Sequence, residues 1–493
     1  MKIVLISIYG FQSHNVRNLA SYLNANGHEA DIIYFKDINY STNIGVSPTD
    51  KEYGLLLKRI KELNPDILGI SLFCCLYKGI FKEVLKRLRS TNLKLIIGGI
   101  APTVSPEDYI DYADYLVRGE GEYPLLDLMN ALGNGREPEG IKGVWYKKEG
   151  KVIENKERRL TDLNKLPSSL PSREKATYID EDSYRKLTNI NYAIITSRGC
   201  PHSCTYCANK YFWDFYRDCG HWFRKRTVES VIEELATVKK NTPELSYILI
   251  GDDNFLTNYK WLEQFCREYK EKINLPFRCL GTFVNCDEKT ISLIKKTGCR
   301  VLGLGIQSGS ERTRRDVFDR KMYTNEDIIR ASRLLSKHKL FTRYDVITNN
   351  PFETKEDKEK TLQLILKLKK PLRLELFSLT FFPKNRITDM ALEKGHITEK
   401  DIAGYEGKDH VHDWRIDIDI VTNKEDIYYG VMYQLVDSFI PRWIIRAIAR
   451  TNFFKKFPEL LKFSRYLRTL THILQDIRNY GTLSFARSKK KES

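Results

Sequence analysis

Cys200, Cys204 and Cys207 stand in the segment Ser197-Arg-Gly-Cys-Pro-His-Ser-Cys-Thr-Tyr-Cys, separated by three and then two residues. Three thiolates on one short loop can converge on a single inorganic cluster, the ligand set of an iron–sulfur site. The loop has no fourth cysteine, so one iron would lack a protein ligand and stand open to a substrate or cofactor. Structural zinc is the other reading of these spacings, with His202 or Cys219 as fourth ligand. It fits less well, because a zinc knuckle rarely begins where a barrel strand ends.

Elements able to position such a loop are present on both sides of it. From Met1 to about Leu132, apolar runs alternate with helical patterns, which predicts strand–helix–strand units and a parallel sheet. The runs are Ile3–Ile8, Ala30–Phe35, Ile67–Ser71, Leu93–Ile97 and Tyr115–Arg118. Ligands of a doubly wound sheet bind beyond the carboxyl ends of its strands, here after Ser7, Ser71, Ile97 and Arg118. Gly143–Asn155 reads as a hairpin around a Glu-Gly turn, and the polar, proline-bearing stretch from Leu163 onward reads as a linker.

A second series begins near Tyr192, with strands expected at Ala193–Thr196, Tyr247–Ile250, Phe277–Thr282, Val301–Ile306, Thr342–Ile347 and Arg373–Leu379. Helical stretches such as Thr227–Lys239 and Glu353–Lys370 separate them, giving a partial parallel barrel with its chemistry on the loops after the strands. The expected fold class is therefore α/β, with a doubly wound N-terminal sheet, a partial (β/α)6 barrel and a helical C-terminal region. The domain boundaries are 1–140, a hairpin and linker at 141–189, the barrel at 190–382, and a basic helical region at 383–493.

Composition narrows the function classes. The 493 residues carry a net charge of +17, and the run from Arg442 to Lys491 is dense in Lys and Arg. Trp443, Ile444, Ile448, Phe453, Phe457, Leu460, Leu461, Phe463, Leu467, Ile473 and Leu474 recur there at near-helical spacing, as on a basic amphipathic helix that lies on an anionic bilayer. Packing against the barrel mouth is the alternative, and the same charge could instead meet RNA. Ten scattered cysteines make a poor disulfide framework and point to a reducing, cytoplasmic setting. The N-terminal apolar run lacks a cleavage site and reads as a buried strand. No stretch approaches the ~20 apolar residues of a membrane span, so any membrane association would be peripheral.

The cysteine loop, including the aromatic Tyr206 before the last cysteine, closely resembles the cluster motif of radical S-adenosylmethionine (SAM) enzymes. The resemblance implies a [4Fe-4S] cluster on Cys200, Cys204 and Cys207, with the open iron chelating SAM and electron transfer releasing a 5′-deoxyadenosyl radical. It places Tyr206 near the adenine. Asp252 and Asp253, in Ile250-Gly-Asp-Asp-Asn-Phe, fall where the family binds the SAM ammonium, although a helix cap or a solvated acid pair explains them equally simply. Gln307 and Ser308, in Gly305-Ile-Gln-Ser-Gly-Ser-Glu, fall near the SAM ribose and carboxylate, against an ordinary turn. Ile347-Thr-Asn-Asn-Pro-Phe-Glu-Thr resembles the family's Gly-x-Pro-x-Glu-Thr loop, with Asn349 in the glycine position.

A doubly wound domain ahead of this motif commonly binds cobalamin in the family. Ile97-Gly-Gly-Ile-Ala-Pro and Val117-Arg-Gly-Glu-Gly-Glu resemble that subgroup, making Gly98, Gly99, Gly119 and Gly121 the expected cobalamin-binding positions. The Asp-x-His-x-x-Gly ligand motif is replaced by Gln12-Ser-His-Asn-Val-Arg, so the resemblance does not assign His14 to cobalt. Its implied reaction is hydrogen abstraction from an unactivated carbon followed by methyl transfer from methylcobalamin, remethylated by a second SAM. The implied partners are a small-molecule or lipid-like substrate and a reducing electron donor.

Cyclisation or rearrangement is the alternative within the family. A transfer-RNA-modifying methylthiotransferase is a further rival, but those relatives carry three separated cysteines in the N-terminal domain, where this chain has only the adjacent pair Cys74 and Cys75. The non-enzymatic rival is a zinc-bearing RNA or membrane adaptor.

Overall fold

The computed structural model describes residues 1–10, 13–36, 47–169, 175–185, 191–403, 423–438, 440–458, 471 and 475. It divides into two compact units: Met1–His202 with Cys207–Leu245 and Phe381–His412, and Ser203–Tyr206 with Ser246–Thr380 and Asp413–Ser493.

The core of the first unit is the run of apolar strands expected from the sequence: β1 (Lys2–Ile8), β2 (Glu29–Phe35), β3 (Ile67–Ser71), β4 (Lys94–Gly98) and β5 (Tyr115–Val117). They pair in the order β5-β4-β3-β1-β2, and every one of these neighbours is parallel. The crossovers carry α1 (His14–Ala25), α2 (Asp50–Leu63), α3 (Lys78–Leu88) and α4 (Ile100–Val104), and α5 (Glu122–Gly133) follows β5. Helices begin where capping chemistry allows: Thr49 accepts from the Glu52 amide, while the Glu52 carboxylate accepts from the Thr49 amide.

The sheet extends beyond these five strands. The predicted hairpin forms as β6 (Val144–Lys148) and β7 (Lys151–Glu154), with β6 antiparallel to β5. On the far edge, β8 (Ala176–Asp180) joins β2 in parallel, and β9 (Ser183–Arg185) turns back on β8. Lys36, at the end of β2, is buried between Glu52 at 2.8 Å and Asp180 at 2.6 Å, which ties α2 and β8 to that edge. Further along lie β10 (Asn191–Ile194), the two-residue β11 (Ser197–Arg198), α6 (Ala208–Phe215), β12 (Arg224–Lys225), antiparallel to β11, and α7 (Val228–Asn241).

In the second unit, β13 (Tyr247–Ile250), β14 (Phe277–Gly281), β15 (Cys299–Gln307), β16 (Phe341–Thr348) and β17 (Leu372–Ser378) form consecutive parallel pairs in chain order. Between them run α8 (Tyr259–Lys272), α9 (Glu288–Thr297), α10 (Asn325–Lys337) and α11 (Lys355–Ile365). With β10, the six strands of the second alternating series are all present. The expected helix over Glu353–Lys370 is shorter, since Glu353 and Thr354 form its capped entry and it ends at Ile365.

Beyond β17 come α12 (Arg386–Glu393), in the first unit, then α13 (Lys424–Asp437), α14 (Arg442–Arg450) and α15 (Asn452–Lys456). Residues Ile427 to Asp437 of α13 are buried throughout, and Lys358 of α11 pairs with Glu425 and Asp426 at its start. The tail positions Leu460, Leu461, Phe463, Leu467, Ile473 and Leu474 lie outside the described residues.

Candidate functional site

The cysteine loop leaves β11 through Gly199 and enters α6 at Cys207, so its three thiols sit between a strand end and a helix start. None forms a disulfide. Trp213 of α6 donates its indole N–H to the Cys200 carbonyl at 3.0 Å, and the Asn209 amide lies 3.5 Å from the Cys207 sulfur. The middle of the loop is held in the second unit, where the Thr205 hydroxyl donates to the Val317 carbonyl at 2.6 Å.

Arg320 escaped the reading of the sequence. Its buried guanidinium reaches the Cys204 sulfur at 3.5 Å, the Tyr206 hydroxyl at 3.0 Å, the Tyr323 hydroxyl at 2.9 Å and the Gly305 carbonyl at 3.2 Å. Burial opposes its charge, but Tyr206, Tyr323 and Cys204 outweigh that and hold it firmly protonated. A fixed cation therefore stands against one of the three thiols. Tyr206 also meets Phe318 edge-on at 5.0 Å between ring centroids.

The two aspartates after β13 separate: Asp252 is buried and Asp253 exposed. Asn254, beside them, is fully buried, and its side-chain oxygen has no hydrogen-bond partner. After β16, the oxygen of Asn349 and the amide nitrogen of Asn350 are likewise buried without partners. Such atoms are costly unless something polar meets them. Their position beyond parallel strands suits a polar cosubstrate such as SAM. Asn349, in the family's glycine position, takes φ +52, the left-handed region that asparagine tolerates better than most residues.

Gln307 sits at a bulge closing β15, with its amide folded so that a Cβ on Gly305 would lie 2.4 Å from it. Ser308 is fully buried, its hydroxyl donating to Glu353 at 2.5 Å and accepting from the Ser310 amide at 3.0 Å. Burial pushes the Glu353 carboxyl up to about 7, with Asp357 adding to the effect and the Ser308 hydroxyl opposing it.

In the first unit, the four expected glycines lie at the carboxyl edge of the sheet, at the end of β4 and after β5. Protein already lies close to most of them. A Cβ on Gly99 would lie 2.5 Å from the Leu72 carbonyl oxygen, and one on Gly121 would lie 3.1 Å from Leu19. Gly119, at φ +89, has the Tyr216 hydroxyl where a Cβ would sit, so only glycine fits. Gly98 is roomier, the nearest atom being the Val117 carbonyl oxygen at 3.5 Å. Beside them Phe73, in the loop after β3, is 52% exposed. An exposed ring at the carboxyl edge of a doubly wound sheet is a platform suited to a flat corrinoid. His14 instead packs at the start of α1, its ring bonded to Asn18 at 3.2 Å and held neutral by burial and nearby arginines.

The donor set also bears on the metal. Among the described residues, no three His, Cys, Asp or Glu side chains are grouped to hold one metal ion. Zinc would need four donors around one centre, whereas a [4Fe-4S] cluster binds each thiolate on a different iron. Three cysteines on one loop, none of them in a disulfide, suit the latter.

The radical SAM superfamily model matches residues 194–365, and the B12 binding domain model matches residues 2–129. An uncharacterized methyltransferase of Pyrococcus horikoshii is 29% identical over 65% of this chain and 68% of its own length. An anaerobic magnesium-protoporphyrin IX monomethyl ester cyclase of Rubrivivax gelatinosus is 26% identical over 71% of this chain, which spans only 61% of the cyclase. The solved radical SAM methyltransferase TsrM of Kitasatospora setae shares the fold with a TM-score of 0.65, at 19% identity over 80% of this chain and 76% of its own. The cofactors of the two matched domains are a [4Fe-4S] cluster with SAM, and cobalamin. The chain therefore carries a B12-binding domain followed by a radical SAM domain, the domain pair of cobalamin-dependent radical SAM enzymes.

Proposed function

We propose that the protein is a cobalamin-dependent methyltransferase that cleaves SAM at a [4Fe-4S] cluster on Cys200, Cys204 and Cys207 and methylates an unactivated carbon of a small or lipid-like molecule. The observation that carries this reading is the three cysteines, none in a disulfide, on the loop from β11 to α6, in a chain whose preceding sheet is a B12-binding domain. The cofactors supply the radical and the methyl group. The chain's own residues bind and orient. Asp252 complements the SAM ammonium, with Asp253 at the exposed rim. Asn254, Asn349 and Asn350 offer their unpartnered polar atoms. Gln307 and Ser308 shape the loop near ribose and carboxylate, and Tyr206 flanks the adenine. Gly98, Gly99, Gly119 and Gly121 set the loops that would face the corrinoid, and Phe73 would offer it an exposed apolar ring.

Anaerobic purification, reconstitution with iron, sulfide and hydroxocobalamin, and incubation with methyl-labelled SAM tests this. The expected result is about four irons per chain, bound corrinoid, 5′-deoxyadenosine, and label on the corrinoid. SAM cleavage with no corrinoid bound would remove the methyl-transfer half, and zinc without iron would favour the adaptor. The likeness to the Rubrivivax cyclase favours cyclisation or rearrangement as the second reading, for which SAM is cleaved but no methyl label moves.

The described part of the tail supports a membrane contact. Trp443 on α14 is 70% exposed, Arg446 and Arg450 are exposed on the same helix, and Phe457 beyond it is 52% exposed. A basic helix with an exposed indole suits an anionic bilayer surface. Co-sedimentation with phosphatidylglycerol vesicles but not with phosphatidylcholine vesicles is expected, weakened by Trp443→Ala. Binding to neither vesicle, or equally to both, removes the contact. No described helix is long and apolar enough to cross a membrane.

A further inference from the structure

The loop after β5 carries two carboxylates whose partners flank the cysteine loop. Glu122 opens α5 and is only 3% exposed. Both its oxygens meet the Arg198 guanidinium in a fork, one of them at 3.2 Å. Glu120 lies 3.2 Å from the same guanidinium and holds Arg224 at 2.5 and 3.2 Å. Arg198 and Arg224 face each other across β11 and β12. Two residues after Arg198 comes Cys200.

That short connection is tight. A Cβ on Gly199 would lie 2.6 Å from the Trp222 carbonyl oxygen, and Trp222 in turn stacks on Tyr216 at 5.5 Å. The other end of the cysteine loop reaches the same place. Tyr216, just past α6, accepts the Glu120 backbone N–H at 2.7 Å, and α6 grips Cys200 through Trp213 and Cys207 through Asn209. Residues 119–122 thus touch both flanks of the cysteine loop.

We propose that Glu120 and Glu122 are positioning residues that couple the two cofactor sites: corrinoid seated against the Gly119–Gly121 loop steadies the cluster loop through Arg198, and the assembled cluster steadies the corrinoid loop in return. This rests on the proposed placement of the two cofactors. The quartet is balanced, two cations against two carboxylates. Burial would raise Glu120, but Arg198 and Arg224 outweigh it and hold it at about 2, so its carboxylate stays ionised across the working range. Bidentate charge-assisted bonds fix direction as well as distance, which apolar contacts do not. A buried pair broken on one side is costly, while its replacement by apolar residues is tolerated. That asymmetry separates coupling from mere folding.

The test is the hydroxocobalamin dissociation constant of the full chain, measured with the cluster assembled and with it removed. Wild type is expected to bind corrinoid at least about fivefold more tightly with the cluster in place, and corrinoid to slow iron loss to a chelator, since coupling between sites is reciprocal. In Glu120→Gln and Glu122→Gln the ratio falls to within about twofold of one. The doubly replaced Glu122→Met/Arg198→Met protein keeps the pair's packing without its charge, so it is expected to regain the wild-type melting temperature while the ratio stays near one. A variant that keeps the wild-type ratio overturns the proposal, as does a wild type that holds both cofactors and shows none. A wild type that binds no corrinoid or assembles no cluster overturns the functional reading itself.

Discussion

Glu353 offers a quantitative check on how the loop between β16 and α11 is built. Its carboxyl is pushed up to about 7 from an unfolded value of 4.5, chiefly by burial. Between those two values the unfolded chain has released its proton while the folded chain still holds it. The unfolded state then binds fewer protons, so stability falls as pH rises from about 4.5 to about 7 and levels off above. The shift corresponds to about 3 kcal/mol lost across that window. Glu353→Gln keeps an acceptor for the Ser308 hydroxyl, stays neutral at every pH, and no longer places a second negative charge beside Asp357. Urea unfolding of wild type and variant at pH 5 and pH 8 gives a double difference in which all other titrating groups cancel. The variant's stability relative to wild type should rise by about 2.5 kcal/mol on going from pH 5 to pH 8, because the unfolded carboxyl is already mostly ionised at pH 5. A change below about 1 kcal/mol, or one of opposite sign, would show that Glu353 is solvated and that the loop is not packed as described.

Gly98 and Gly99 should part company: Gly99→Ala drives a Cβ into the Leu72 backbone and should cost more than about 2 kcal/mol in urea unfolding, while Gly98→Ala should fold normally and weaken hydroxocobalamin binding. Equal stability loss in both would remove the distinction. Lys36→Met strands the Glu52 and Asp180 carboxylates and should destabilise the protein by about 3–5 kcal/mol; a loss under about 1 kcal/mol would mean water reaches that edge. Arg320→Gln removes the cation beside Cys204, which should make the cluster harder to reduce, lowering its midpoint potential on the order of 100 mV in an EPR-monitored redox titration. An unchanged potential would place the guanidinium's charge outside the reach of the cluster.

Much of this architecture is legible in the chain because local signals agree with it. Ile67–Ser71 and Tyr247–Ile250 are strands at the bounds their apolar runs suggest, and Thr227 caps the helix expected to start there. The strands β8 and β9 were not legible. They are short, follow a proline-bearing stretch, and join the sheet through pairing with residues some 140 positions earlier, which no local periodicity encodes. The same holds at the site. The cysteine spacing announces itself, but Arg320 meets Cys204 across 116 residues, and nothing local distinguishes buried Asp252 from exposed Asp253. The glycines after β4 and β5 were readable as points of close approach. Their nearest neighbours are the Leu72 backbone and the Tyr216 hydroxyl, which only the folded chain reveals. Glu120 and Glu122 sat in plain view between those glycines, without any sign that their charges belong to arginines flanking the cysteines.

Formation of 5′-deoxyadenosine by the reduced, reconstituted protein bears most directly on the claim that Cys200, Cys204 and Cys207 carry the chemistry. Wild type should release the nucleoside from SAM, and the protein with all three replaced by alanine should release none above background. Undiminished release from that triple variant would contradict the assignment outright.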